Sequence, residues 1–340
     1  MTTITSPAPH QAARRWHRAL CSAAAVSLAG ACGIQAALSA DAYPSRPIQM
    51  VIPFPAGGPA DIVGRLYAQH LATLLGQPVT TLNRDGAAGT IGTDAVARAT
   101  PDGYTIVFGT TSTMAVNQVT MKNLPYDFMR DFSLIGLIAN APHILAVRDG
   151  LPVKSATELI ALAKRNPGKY TFASAGTGTI VQMAGELFRV EAGIDLLHVP
   201  YKGGGPAVAD LIGGQVKVFF NTPGLMWPHV TSGRLRALAV TSAQRMEFAP
   251  DLPTVAESGV PGFEASIWYG IYGPKNLPAA LTQRWNNAVN RYVKSPQAQE
   301  YYRRAYMSVV GGTPASFASF HELETARWGA IVASSGIKPQ

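Results

Sequence analysis

The chain has 340 residues, of which 47% are apolar and only 14% charged, with a formal net charge of +8. That length and apolar content suit two domains with sizeable cores. Beyond the N-terminus no apolar run reaches the roughly 18 residues of a membrane span. Lys and Arg are spread along the chain without a block, which excludes the clustered basic stripe of a nucleic-acid interface; a mild positive field suits anionic solutes.

Residues 1–42 have the pattern of an export signal. Arg14, Arg15 and Arg18 form a basic start, Ala19 to Ala31 is small and apolar, and Ala40-Asp41-Ala42 is an A-x-A cleavage pattern before Tyr43. The residues after Arg14-Arg15 match a twin-arginine signal poorly. In Leu28-Ala29-Gly30-Ala31-Cys32 the leucine stands one place too far from Cys32 for a lipid-anchor box. Cys21 and Cys32, the only cysteines, both fall in this segment. The mature chain therefore has no disulfide and no thiol-based metal or catalytic chemistry. Cleavage lowers the net charge from +8 to +6 by removing three arginines and Asp41.

From there short apolar runs alternate with helical patterns, which predicts βαβ units and mainly parallel sheets. Strands are expected at Ile48 to Pro53, Val79 to Leu82 and Tyr104 to Phe108. Helices are expected at Pro59 to Leu75, with Ile62, Val63, Leu66 and Leu71 on its apolar side, and at Gly92 to Ala99. Ile144 to Val147 leaves the first lobe, and a helix follows over Ala156 to Lys164. Tyr170 to Ala173, Val216 to Phe220 and Leu235 to Val240 are strands of a second lobe, with helices at Ile180 to Val190 and Pro206 to Ile212 between them. Residues 249–263 are a Pro- and Gly-rich loop, Ile267 to Tyr272 returns to the first lobe, and helices near 279–293, 297–304 and 315–333 end the chain. The expected fold class is α/β, two-lobed, with two crossover segments forming a hinge. Lobe 1 comprises 43–143 plus 268–340 and lobe 2 comprises 144–267, with a cleft between them.

The chemistry-bearing pattern is a repeated junction of strand, Gly/Ser/Thr/Pro loop and helix. Phe54-Pro55-Ala56-Gly57-Gly58-Pro59 is the first. Its glycines allow close backbone approach, and the free amides at the following helix start can receive an anion. Asp61 falls in the first turn and is expected to bond back to the loop amides. Ser174-Ala175-Gly176-Thr177-Gly178-Thr179 is a second candidate nest. Pro200-Tyr201-Lys202-Gly203-Gly204-Gly205-Pro206 is a third. Gly109-Thr110-Thr111-Ser112-Thr113 and Asn221-Thr222-Pro223 end two further strands. Ligands in open α/β sheets sit at strand carboxyl ends, so five such segments predict one shared cleft. Trp268 and Tyr269 are candidates for its wall or for packing between the lobes.

Enzyme patterns are weak. Gly176-Thr177-Gly178 lacks the third glycine of a dinucleotide fingerprint, no phosphate-loop motif occurs, and Ser174 lacks the first glycine of a nucleophile elbow. His143, His198 and His229 stand alone in sequence, and neither metal-ligand spacing nor paired carboxylates occur. No cofactor is implied. A secreted serine hydrolase using Ser174 is the alternative.

Several segments resemble the Bug family of periplasmic receptors of tripartite tricarboxylate transporters. They are Tyr43-Pro44-Ser45-Arg46-Pro47-Ile48, Phe54 to Asp61, Asn83-Arg84 with Gly86 to Gly92, Pro101-Asp102-Gly103-Tyr104, Ser174 to Gly178 and His198 to Gly203. The resemblance continues through Asp210 to Val216, Leu235 to Thr241 and Pro253 to Glu257, covering 43–320 in order. It implies a type II periplasmic-binding-protein fold that closes on an organic acid or amino acid. It also implies a carboxylate held by loop amides and ordered water, and delivery to a membrane permease or, in some members, a sensor. The matching ligand-binding positions are Phe54, Pro55, Ala56, Gly57, Gly58, Asp61, Ser174, Ala175, Gly176, Thr177 and Gly178, then Thr111, Ser112, Tyr201, Asn221, Thr222 and Pro223. A monomer without nucleic-acid partners is expected. Asp85 and Gln118 depart from the family pattern, which bears on the ligand's distal end.

Overall fold

The computed structural model describes residues 2–3, 43–335 and 337, so the proposed export signal lies almost wholly outside the described residues. By contact the chain divides into Met1–Arg46 and Pro47–Gln340, and both sheets belong to the second unit.

The strands are β1 (Ile48–Ile52), β2 (Val79–Asn83), β3 (Thr105–Thr110), β4 (Phe132–Pro142), β5 (Ile144–Arg148), β6 (Tyr170–Ser174), β7 (Leu196–Pro200), β8 (Val218–Asn221), β9 (Leu235–Val240), β10 (Ser266–Pro274) and β11 (Ser308–Val309). The longer helices are α1 (Pro59–Leu75), α2 (Thr90–Ala97), α3 (Ala156–Arg165), α4 (Ile180–Glu191), α5 (Gly204–Gly213), α6 (Pro223–Thr231), α7 (Ala279–Val293), α8 (Pro296–Arg304) and α9 (Pro314–Ser335).

Sequence chemistry explains the best-defined helix. Pro59 suits the first helical position, and Gly76 takes the left-handed conformation (φ 68°) that ends α1. Val63, Tyr67, Ala68 and Leu71 bury one face. Ile62, expected on that face, is 49% exposed.

One sheet has the order β11-β4-β10-β3-β1-β2 and the other β7-β6-β8-β5-β9. Each holds three neighbouring parallel strands, and beside them one antiparallel strand, β10 in the first and β5 in the second. The sheets are therefore mixed where mainly parallel ones were expected. Connectivity is the reason. β4 ends at Pro142, and after His143 alone β5 begins in the other sheet. A chain entering beside Asn221, the end of β8, can only run against it. β10 likewise enters its sheet beside the ends of β3 and β4 and runs against both. Ile144–Arg148 and Ser266–Pro274 are thus full members of their sheets rather than linkers.

The two crossings are stitched together by Thr241. The His143 N–H donates to Thr241 Oγ1 at 2.7 Å, and the Thr241 N–H donates to the His143 carbonyl at 3.0 Å. The Thr241 hydroxyl donates to the Ala265 carbonyl, and the Ala265 N–H donates back to the Thr241 carbonyl at 3.0 Å. Both lobes have apolar cores: Tyr67, Phe108, Tyr269 and Tyr272 in the first, Phe172, Phe188, Phe219 and Phe220 in the second, all unexposed. Across the edge of the two sheets, Tyr306 packs on Phe248 with ring centroids 3.8 Å apart and on Trp227 at 6.0 Å.

Thr241→Val keeps the side-chain volume but leaves the buried His143 N–H without its acceptor. A loss of about 1–3 kcal/mol is expected, measured as a lower urea midpoint; an unchanged midpoint contradicts the role of the stitch.

Candidate ligand-binding cleft

The carboxyl ends of β1, β3, β6, β7 and β8 surround one cavity of about 150 Å³. Its wall is largely apolar: Phe54, Pro55, Ala60, Ile180, Val181, Pro206 and Ile267 contribute. Among the described residues no Asp or Glu lines it, and Lys202 is the one charged side chain, exposed to solvent.

Its polarity comes from main chain. Gly58 caps α1 without a side chain, so the first-turn amides of Ala60 and Asp61 have no capping acceptor. Gly203 caps α5 in the same way, leaving the amides of Gly204 and Gly205. At α4 the Thr179 hydroxyl accepts from Gln182 N–H at 3.4 Å, and the Ile180 N–H donates across the cleft to Ser112 Oγ at 2.9 Å. Asn221 and Thr222 precede α6 and also line the cavity. Helix N-termini carrying uncapped N–H groups attract anions. This set comes from both sheets.

Asp61 sets the first loop rather than facing the cavity. Its Oδ2 accepts from Gly57 N–H at 2.9 Å, and its Oδ1 accepts from Asn83 Nδ2 at 2.8 Å and pairs with Arg65 Nε at 2.8 Å. Asn83 Nδ2 also donates to the Phe54 carbonyl at 3.0 Å. Burial pushes the Asp61 carboxyl up, but Arg65, the Gly57 amide and Asn83 outweigh it and hold it below its usual value. The loop that would meet an anion is therefore held by a carboxylate on its far side.

Of the positions expected from sequence, Phe54, Pro55, Ala56, Gly57, Gly58, Ser112, Ala175, Asn221 and Thr222 line the cavity. The others stand behind it. Thr111 Oγ1 accepts from Trp268 N–H at 2.8 Å and so fixes the start of β10. The Ser174 hydroxyl is spent on its own loop, accepting from Gly176 N–H at 3.2 Å, and lies 2.7 Å from His198 Nε2. Fully buried, it has no path to a substrate, so the Ser174–His198 pair is structural. Gly178 N–H donates to Gln182 Oε1 at 2.7 Å, and a Cβ at Gly178 would stand 3.1–3.2 Å from Met121 and Ala88 of the other lobe. Gly176, Thr177 and Pro223 are likewise outside the lining, and Tyr201 donates its hydroxyl to Asp210 at 2.8 Å. Burial and Asp210 push the Tyr201 phenol up to about 12. Trp268 and Tyr269 are fully buried: the Trp268 indole donates to Glu324 at 3.0 Å, and Tyr269 stacks on Phe108. Their neighbour Ile267 faces the cleft instead.

His143, Ile180, Val181 and Ile267 line the cavity without having been expected to bind ligand, and Thr179, the last residue of the second candidate nest, lines it too. The available signal was the helix start itself: residues just after a nest belong to the same first turn as its amides.

Two lobes around a cavity, with donors from both, define a solute-binding protein. Residues 63–337 match the Tripartite tricarboxylate transporter family receptor model, and the chain belongs to that family of periplasmic binding proteins, which are not enzymes. It is 38% identical to Protein BugT of Bordetella pertussis over 90% of this chain and 94% of that one. The structure of R. palustris Rpa4515 with adipate superposes with a TM-score of 0.85 at 33% identity, covering 88% of this chain and all of the other. MatC (Rpa3494) from Rhodopseudomonas palustris with bound malate gives 0.81 at 29% identity, over 85% of this chain and all of the other.

Asp61→Asn is expected to destabilise the protein by about 1–3 kcal/mol at pH 7 by removing charge-assisted bonds. A depressed folded-state pKa contributes stability above the unfolded value of about 3.9 and loses it as pH falls through the folded value. The gap between wild type and variant in urea midpoint should therefore shrink from pH 7 to pH 3; a constant gap contradicts this.

Proposed function

We propose that the protein is an exported receptor, monomeric after removal of residues 1–42. It captures a small carboxylate-bearing solute between its lobes and delivers it to the membrane permease subunits of a tripartite transporter. The carrying observation is the convergence of uncapped helix-start amides from both sheets on one cavity whose lining holds no carboxylate among the described residues. A carboxylate head group would take the uncapped amides of Ala60 and Asp61 in the first turn of α1, together with those of Gly204 and Gly205 in the opposite lobe, and the apolar wall would cover its hydrocarbon body. Because donors come from two lobes, neither lobe alone would hold the anion well. The hinge for closure would lie at His143 and Thr241, the two places where the chain changes sheet.

Family relatives solved with adipate and with malate support an acid ligand. Among the described residues, no three acidic, His or Cys side chains cluster to hold a metal, and no helix is long and apolar enough to cross a membrane.

Isothermal titration against a panel of small mono- and dicarboxylates should give saturable binding of one solute per chain, and native mass spectrometry should detect an acid retained through purification. Gly57 has φ +79°. Gly57→Val strains that backbone and places a side chain where the anion would approach, so affinity should fall tenfold or more, about 1.4 kcal/mol. Unchanged affinity in that variant, or no carboxylate binding by the wild type, would defeat the proposal.

A further inference from the structure

β6 and β7 run parallel, with Phe172 opposite His198 and Ser174 opposite Pro200. Residues two apart on a strand share a face, so Phe172, Ser174 and His198 lie together. The His198 imidazole stacks on the Phe172 ring, centroids 4.9 Å apart, and its Nε2 lies 2.7 Å from Ser174 Oγ.

Ser174 ends β6, so it governs the turn that follows. The Gly176 N–H donates to Ser174 Oγ at 3.2 Å, and the Gly176 carbonyl lies 3.1 Å from the same hydroxyl and accepts from the Thr179 hydroxyl at 2.7 Å. Gly176 holds φ +132°, a conformation glycine adopts readily and leaves readily. The main chain then zips this turn to the one after β7. The Ser174 carbonyl accepts from Tyr201 N–H at 3.1 Å, and the Ala175 carbonyl accepts from Gly203 N–H at 3.1 Å. Gly203 caps α5, and Ala175 and Gly203 to Gly205 line the cavity. The His198 bond thus stands a few links behind the uncapped amides of Gly204 and Gly205.

The sheet itself does not depend on this bond. His198 is half-buried, and the β6–β7 ladder over Tyr170–Ser174 and Leu196–Pro200 is made by main chain. Burial lowers the imidazole pKa, with Glu186 opposing the shift, so the ring is neutral near pH 7 and bonds Ser174 without bringing in a charge.

We propose that His198 is a positioning residue for solute capture: through Ser174 it holds the turn after β6 against the turn after β7 and so fixes where the first-turn amides of α5 point. It is the lobe 2 counterpart of Asp61, which holds the first loop of lobe 1 from behind. This rests on the receptor role proposed above and deepens it by naming a residue outside the cavity lining on which affinity depends.

The test uses the mature chain as wild type, His198→Phe, His198→Gln, Ser174→Ala and the double variant His198→Phe/Ser174→Ala, with thermal melts to verify folding. Amide hydrogen exchange by NMR reads the turns without any solute. His198→Phe keeps a ring on Phe172 but loses the bond, so exchange at Gly176, Tyr201 and Gly203 should rise about tenfold while Gly57, in the other lobe, is unchanged. Isothermal titration with adipate, malate and succinate reads the consequence. The acid that wild type binds most tightly should bind His198→Phe about tenfold more weakly, with little change in melting temperature. His198→Gln, whose amide can donate to or accept from Ser174, should restore most of the affinity. The double variant should be no weaker than Ser174→Ala alone, because His198 acts through Ser174. His198→Gln and Ser174→Ala carry the test if the Phe variant does not fold. Unchanged exchange and affinity in His198→Phe, losses that add in the double variant, or no rescue by Gln overturns the assignment and leaves the receptor role standing. Failure of wild type to bind any of the three acids counts against the receptor role, and the exchange data alone then decide whether His198 sets these turns.

Discussion

A chain that leaves one sheet at the carboxyl edge of its strands and enters another after one residue must present both carboxyl edges to the same space. His143 is that residue, with β4 ending at Pro142 and β5 starting at Ile144. Everything about the cleft depends on this constraint. Helices that follow parallel strands start at the carboxyl edge, so their first-turn amides point toward the shared cavity, where the exposed Lys202 is the one cationic side chain among the described residues. The antiparallel course of β10 and β5 has the same cause, since the crossing chain enters from the cleft side.

The electrostatic design separates recognition from support. The lining contributes partial positive charge through main-chain N–H groups, whose cost of desolvation was met when the helices formed. Apart from the exposed Lys202, full charges stand one layer back, where Asp61, paired with Arg65 and bonded by the Asn83 amide, holds the first loop from behind. An apolar wall with a few fixed donors suits a solute having one charged end and a compact body.

Much of this was legible from residue types. Gly58, Pro59 and Gly76 marked the ends of α1 because each has a conformational role there. The strand–loop–helix junctions marked segments that the structure brings around one cavity, since Gly, Ser and Pro at strand ends serve turns and helix starts alike. What stayed hidden depended on tertiary context. β4 was missed because Gly136 and Asn140 interrupt its apolar run, yet Gly136 lies beneath Asn286 and Val289 of α7, where a Cβ would stand 3.2 Å from each. α6 was missed because Pro223 and Pro228 discourage a helix assignment. Within the nests, sequence could not tell amides that face the cavity from those answered locally, as Gly178 is by Gln182. Trp268 and Ile267 show the same limit in a strand: one residue of register decides which side chain meets the cleft.

The hydrogen bond from Ile180 N–H to Ser112 Oγ joins the lobes using protein atoms alone. Its free energy favours this juxtaposition of the lobes whatever molecule lies between them, so part of their approach needs no solute. A membrane partner that judged cargo only by whether the two halves had come together would therefore misread some vacant receptors as loaded.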